Sequence, residues 1–255
     1  MELHSTLFEI KERIAYLSIH RPLARHAIDL QVVQEFHSVL DHLEEHSQID
    51  SLIIASSGDK AFASGADIAQ LQKRKAPEAL RGINSSLFQR IEQAPFPVIA
   101  AIQGYALGGG CELALACDIR ICGKSSKFGQ PEVTLGIIPG AGACHRLARL
   151  VGLGKAKELI FTGEMISAEE ALKIGLVNSV VEDGKALESA EILARKIAKN
   201  STLAVQIAKA TINAVGRPDH AIAYDLERFG QAILFESQEK DERMRAFLER
   251  NKKSN

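Results

Sequence analysis

Residues 98–117 read VIAAIQGYALGGGCELALAC, and the order of apolar run, glycines and second apolar run governs how the rest of the chain is read. Val98–Ile102 is opened by Pro95 and Pro97 and closed by Gly104, the pattern of a strand buried on both faces. Glu112–Cys117 reads as the start of a buried helix. Between them, Gly108-Gly109-Gly110 presents bare backbone at a strand-to-helix turn, where α/β proteins commonly place ligands. A second bare segment, Gly65-Ala66-Asp67, lies upstream. Together the two supply a pair of backbone N–H donors to one oxyanion, although either segment alone also reads as plain turn glycine.

Outward from this centre, residues 10–19 (IKERIAYLSI) and 51–57 (SLIIASS) read as strands, and Leu30, Val33, Phe36, Leu40 and Leu43 recur between them at helical spacing. That is a β–α–β unit. Ile119–Cys122 reads as a further strand. Ser167-Ala168-Glu169-Glu170 is a capping box for a short helix ended by Gly175, and Leu176–Val181 follows as a strand. From about Leu187 the pattern is helical, with Gly216-Arg217-Pro218 as its clear break. No low-complexity segment or repeat period stands out.

The 255 residues, 46% of them hydrophobic, suit one large α/β domain with an appendage. A formal net charge of −1 gives no whole-chain field to attract nucleic acid or an anionic membrane, though Lys252 and Lys253 make the C-terminus locally basic. Cys111, Cys117, Cys122 and Cys144 form no C-x-x-C pair, and three sit in apolar stretches as small buried thiols do. Reduced thiols and an N-terminus without leader character point to the cytoplasm, with the mitochondrial matrix compatible if a leader has been removed. No apolar run approaches the roughly 20 residues that cross a bilayer.

Two carboxylates stand out. Glu112 lies in the apolar context Gly110-Cys111-Glu112-Leu113-Ala114, where an ionisable group is costly unless it has a purpose or a partner; alone, it also reads as a first-turn helix acid favoured by the dipole. Glu132 lies in Phe128-Gly129-Gln130-Pro131-Glu132, ahead of Gly136-Ile137-Ile138-Pro139-Gly140-Ala141-Gly142, and alone also reads as a loop acid.

This constellation, in this order, resembles the crotonase superfamily and within it enoyl-CoA hydratase, over about Ile10 to Arg250. The resemblance implies an α/β fold: a spiral of ββα turns forming a core with the active site over residues 1–195, then a C-terminal helical oligomerisation region over 196–255 that helps build a homotrimer, often paired into a homohexamer. It implies reversible syn addition of water to a trans-2-enoyl-CoA, giving a 3-hydroxyacyl-CoA, with no metal or redox cofactor and with coenzyme A entering as part of the substrate. It assigns Ala66 and Gly109 as oxyanion donors through their backbone N–H groups. Glu132 protonates the α-carbon, Glu112 holds and helps deprotonate the water, and the backbone of Gly140 lies beside the water site. Ala63, Ser64, Ala66, Asp67 and Ile68 belong to the segment that contacts coenzyme A. The alternatives are a Δ3,Δ2-enoyl-CoA isomerase with Glu132 as proton shuttle and, in another class, a non-catalytic or RNA-binding member of the fold.

The chain departs from the family pattern in three places. The early coenzyme A turn reads Arg21-Pro22-Leu23-Ala24-Arg25-His26-Ala27, with the basic residue displaced by two positions and His26 where asparagine is usual, which makes Arg25 the candidate for the phosphates. Gly142-Ala143-Cys144-His145-Arg146 and Glu242-Arg243-Met244 also differ from the usual motifs. Lys240, Arg243 and Arg245 on the last helix are further candidates for the nucleotide phosphates, or simply a solvated face. His42-Leu43-Glu44-Glu45-His46 matches H-x-x-E-H, but the helix is an ordinary amphipathic one and no third ligand follows, so a solvated edge is the simpler reading. The neighbours Cys144 and His145 read as a structural thiol and its sequence neighbour, since a nucleophile and its base must meet in space.

Overall fold

The computed structural model describes residues 2–46, 48–73, 76–214 and 229–233, with Gln238 and Glu242. The chain runs β1 (Thr6–Lys11), β2 (Ile14–Ile19), α1 (Leu30–His46), β3 (Ser51–Ser56), β4 (Ala61–Ala63), α2 (Ile68–Lys73), α3 (Ala76–Leu80) and α4 (Ile83–Gln93). It continues through β5 (Val98–Ile102), β6 (Tyr105–Leu107), α5 (Gly109–Ala116), β7 (Ile119–Gly123), β8 (Lys127–Gly129), α6 (Ala143–Val151) and α7 (Leu153–Thr162). Then come β9 (Met165–Ser167), α8 (Ala168–Lys173), β10 (Ser179–Val181), α9 (Ala186–Ile197) and α10 (Thr202–Ala214).

Successive strand pairs divide between two sheets. One sheet has the order β1-β2-β3-β5-β7-β10 and the other β4-β6-β8-β9. Thus β3 and β4, β5 and β6, and β7 and β8 each place one strand in either sheet, and α5 follows the second of these pairs: the chain winds as a ββα spiral. Pairing is parallel except at β1–β2 and β8–β9.

The central strands read as apolar runs because both of their faces are covered. Leu52, Ile54, Val98, Ala100 and Ile102 enter the main core with α1 residues Val33, Phe36, Leu40 and Leu43. Ile53, Ala55, Ile99, Ala101 and Ile121 point the other way, onto Ala186, Ala190 and Ala194 of α9. Those alanines recur every fourth residue, so one small-residue stripe lets α9 approach the sheet closely.

Two strand readings are corrected. Residues 10–19 are not one strand: β1 and β2 form an antiparallel hairpin that pairs Lys11 with Ile14 and turns at Glu12-Arg13. Glu12 takes a left-handed φ of 56° that would ordinarily favour glycine, so the turn carries no sequence signature. Its residues are held from outside, Glu12 by Arg195 and Arg13 by Asp50 at 2.9 Å. Likewise, only Ser179–Val181 of the run 176–181 is strand. Leu176 and Val177 turn back onto Ala171, and Asn178 exchanges two hydrogen bonds with the Arg120 backbone. The Ser167 cap forms, its hydroxyl accepting from the Glu170 N–H. The break at Gly216-Arg217-Pro218 and residues Lys240, Arg243, Arg245, Lys252 and Lys253 lie outside the described residues.

Candidate active site

Strands β4 and β6 are parallel neighbours, so their C-terminal ends release two backbone segments side by side. The segment after β4 is pinned by an isolated bridge: the Ile28 N–H donates to the Gly65 carbonyl at 2.8 Å, and the Asp67 N–H to the Ile28 carbonyl at 3.4 Å. The Ala66 N–H takes no part in this bridge. After β6, Gly108 caps α5, accepting from the Glu112 N–H at 2.9 Å and leaving the Gly109 N–H as a first-turn donor with no intrahelical acceptor. Among the described residues, neither the Ala66 nor the Gly109 N–H meets a protein acceptor. The two residues are close, since a Cβ on Gly109 would stand 3.4 Å from the Ala66 nitrogen.

Two glycines make this approach possible. A Cβ on Gly110 would lie 2.1 Å from the Ala63 carbonyl oxygen, so only glycine lets the first turn of α5 press on the end of β4. Gly108 has φ 49° and ψ −123°, and a Cβ there would come within 2.8 Å of Glu132 Oε1.

Glu112 is only 3% exposed. The N–H groups of Ala141 and Ala143, at the entrance to α6, donate to its Oε1 at 2.7 and 3.0 Å. Burial raises its pKa; those amides, the nearby Arg146 and the Gly142 backbone pull the other way without overcoming it. Glu132 lies in the first turn of a short 3-10 helix, Pro131–Leu135, that the sequence reading did not foresee. Burial, with the charge of Glu112 adding, pushes its pKa up to about 7. With its amide nitrogen turned inward, the buried Gln130 donates to both Glu132 oxygens at 3.2 Å.

Both carboxylates and both bare amides face one cavity of about 770 Å³. Its remaining wall is largely apolar, with Ile68, Leu71, Ala79, Ile83, Leu135 and Ile138 contributing. Such a space takes an extended apolar chain with its polar end held at the α5 N-terminus.

The structure brings Ser64, Ala66, Ile68, Gly109, Glu112, Glu132 and Gly140 to this cavity. Ala63, Asp67 and Arg25 do not line it. Ala63 is packed under α5; the Asp67 carboxylate accepts from the Gln70 N–H at 3.1 Å and lies 3.8 Å from Arg21, so it organises the start of α2. Arg25 is exposed, and it is its backbone carbonyl that touches the site segment, accepting from the Ser64 N–H at 3.2 Å.

Sequence reasoning missed the amides of Ala141 and Ala143 as the holders of Glu112, and Gln130 as the neighbour of Glu132. Backbone donors leave no residue signature; the one available signal was the glycine-rich loop Gly140–Gly142 running into a helix. The motifs set aside have ordinary surroundings. His42 meets Phe8 edge-on with ring centroids 5.9 Å apart, and Glu44 pairs with Arg90 at 2.9 Å. No group of three or more His, Cys, Asp or Glu suited to a metal occurs among the described residues. The Cys144 thiol donates to the Pro139 carbonyl at 3.6 Å, while Cys111, Cys117 and Cys122 are buried and their pKa values are pushed up to about 12. No described helix is long and apolar enough to cross a membrane.

A two-sheet spiral with paired bare amides at the ends of adjacent parallel strands defines the class: a crotonase-fold protein. The model of the family Enoyl-CoA hydratase/isomerase matches residues 9–254, and the chain belongs to that family. A short-chain-enoyl-CoA hydratase of Clostridium acetobutylicum is 42% identical over 256 residues, covering 99% of this chain and 97% of the relative. A crotonyl-CoA hydratase of Syntrophomonas wolfei is also 42% identical, over 254 residues, covering 99% and 98%. Among solved structures, an enoyl-CoA hydratase from Bacillus anthracis superposes with a TM-score of 0.92 at 36% identity, covering 97% of each chain.

Proposed function

We propose that this protein catalyses the reversible syn hydration of trans-2-enoyl-CoA thioesters to 3-hydroxyacyl-CoA. The observation that carries the reading is the meeting, in one apolar cavity, of two acceptor-free amides with two carboxylates in different environments. The thioester carbonyl oxygen is bound by the N–H groups of Ala66 and Gly109, which stabilise the enolate-like charge without titrating. Glu112, fixed by Ala141 and Ala143, orients a water and takes its proton as the oxygen bonds to the β-carbon. Glu132, its pKa pushed up to about 7 by burial, delivers a proton to the α-carbon on the same face. Gly140 borders the water position. Coenzyme A is part of the substrate, and no separate cofactor is invoked; Ser64 and Ile68, which line the cavity, accompany its pantetheine portion, and the exposed Arg25, outside that lining, is the candidate for its phosphates.

The relatives named as short-chain and crotonyl-CoA hydratases support a four-carbon ester as the first substrate to try. Conversion of crotonyl-CoA to 3-hydroxybutyryl-CoA, followed by chromatography, tests the reading. Absence of that product, with a 3-enoyl-CoA converted to its 2-enoyl isomer instead, would replace it with the isomerase reading. Residues 196–255 are assigned to subunit association as a homotrimer or homohexamer, checked by light scattering; a monomer would refute this.

A further inference from the structure

Turn 21–27 contains two consecutive left-handed residues, Arg25 at φ 49° and His26 at φ 58°, neither of them glycine. Non-glycine residues hold that conformation only when neighbours over-determine it. Here His26, 4% exposed, does so from inside the turn. Its Nδ1 accepts from the Arg21 N–H at 3.1 Å, its own N–H donates to the Arg21 carbonyl at 2.9 Å, and the ring also hydrogen-bonds the Ser57 backbone. An Nδ1 that accepts is unprotonated, so this clasp needs the neutral imidazole.

The turn is joined directly to the segment that carries Ala66. The Arg25 carbonyl accepts from Ser64, Ile28 bridges Gly65 and Asp67, and Arg21 reaches Asp29 at 2.9 Å and Asp67 at 3.8 Å. We infer that neutral His26 is a positioning residue for thioester binding: its imidazole closes turn 21–27, and protonating it sets N–H against N–H and loosens Ser64–Asp67 with the oxyanion amide of Ala66.

The charged and titratable groups around the ring are His20 at the end of β2 and Arg21 on the turn itself, with Asp29 and Asp67 beyond Arg21. Burial, His20 and Arg21 all favour the neutral ring and lower its pKa, against the opposing pull of the Ser57 backbone. The clasp is therefore closed at neutral pH and opens in acid, on the low side of the usual histidine value.

The inference rests on the coenzyme A ester reading, and its test reads binding of a saturated ester, butyryl-CoA, which the reaction cannot consume. Titration calorimetry from pH 7.5 to 5 should show the wild-type Kd rising about 3- to 10-fold more than that of His26→Asn, whose amide oxygen accepts from Arg21 without titrating and tolerates the left-handed backbone. Because Glu112 and Glu132 titrate in both proteins, the difference between them is the readout. Imidazole nitrogen NMR of the wild type should show a neutral ring protonated at Nε2 at pH 7. Equal pH dependence in the two proteins, or an Nδ1-protonated or charged ring at pH 7, overturns the clasp. No wild-type binding at any pH overturns the ester reading and the clasp with it.

Discussion

Glu35 and Glu112 are each 3% exposed, yet their surroundings drive them in opposite directions. Glu35, on α1, is met by the N–H groups of His4 and Ser5, the Thr6 hydroxyl and the Gln31 amide, which use both carboxylate oxygens. Burial works against its charge, but those donors outweigh it and hold the pKa below the usual carboxylate value. Glu112 receives its hydrogen bonds from Ala141 and Ala143 on one oxygen, Oε1, and its pKa is raised. Burial alone does not distinguish a structural acid from a chemical one; the supply of donors does. Glu35 pins the N-terminal segment to α1 through both oxygens, whereas the hydrogen bonds to Glu112 fall on Oε1 alone, as the proposed water-holding role requires.

Glu132, whose pKa burial raises as it does that of Glu112, should show the largest effect on chemistry. Glu132→Gln is expected to lower kcat/KM for crotonyl-CoA hydration by ~10²- to 10⁴-fold while butyryl-CoA still binds. A loss confined to binding would place Glu132 with the structural acids. The wild-type pH profile comes next: hydration needs the protonated acid, so kcat/KM should fall about tenfold per unit above the Glu132 pKa of about 7. A profile flat from pH 6 to 9 would break the assignment.

Removing the charge of Glu35 should act on stability instead. Glu35→Gln places an amide against donors and should cost about 2–3 kcal/mol, lowering Tm by roughly 4–12 °C. Because the folded pKa of Glu35 is depressed, its contribution is fully present above the unfolded value of about 4.3 and is lost as pH falls through the lower folded value; the variant's deficit should shrink there. Glu132 has the opposite sign. Its raised pKa means that the ionised acid destabilises the fold, so Glu132→Gln should gain about 1–2 kcal/mol in urea unfolding at pH 8 and nothing at pH 4. Equal stability of variant and wild type at pH 8 would deny the strain assigned to that acid.

Much of the candidate site was legible in the sequence because its geometry depends on glycine. The Gly108–Gly110 run and Gly65 appear in sequence as the absence of side chains, and that absence is what lets α5 meet β4. The β2–α1–β3 unit and β5 were legible through periodicity and two-sided burial. The Glu12-Arg13 hairpin turn was not, since its left-handed residue is glutamate and its support comes from Arg195, distant in sequence. Nor was the difference between Glu35 and Glu112, which lies in donors from residues about 30 positions away or in backbone amides common to every residue.

That difference is most directly tested by measuring kcat/KM for crotonyl-CoA hydration, followed as loss of enoyl-thioester absorbance, in Glu112→Gln and Glu35→Gln beside the wild type. A fall of at least ~10²-fold for Glu112→Gln with Glu35→Gln within about twofold is the expected result. Comparable rates for Glu112→Gln and wild type would contradict the account.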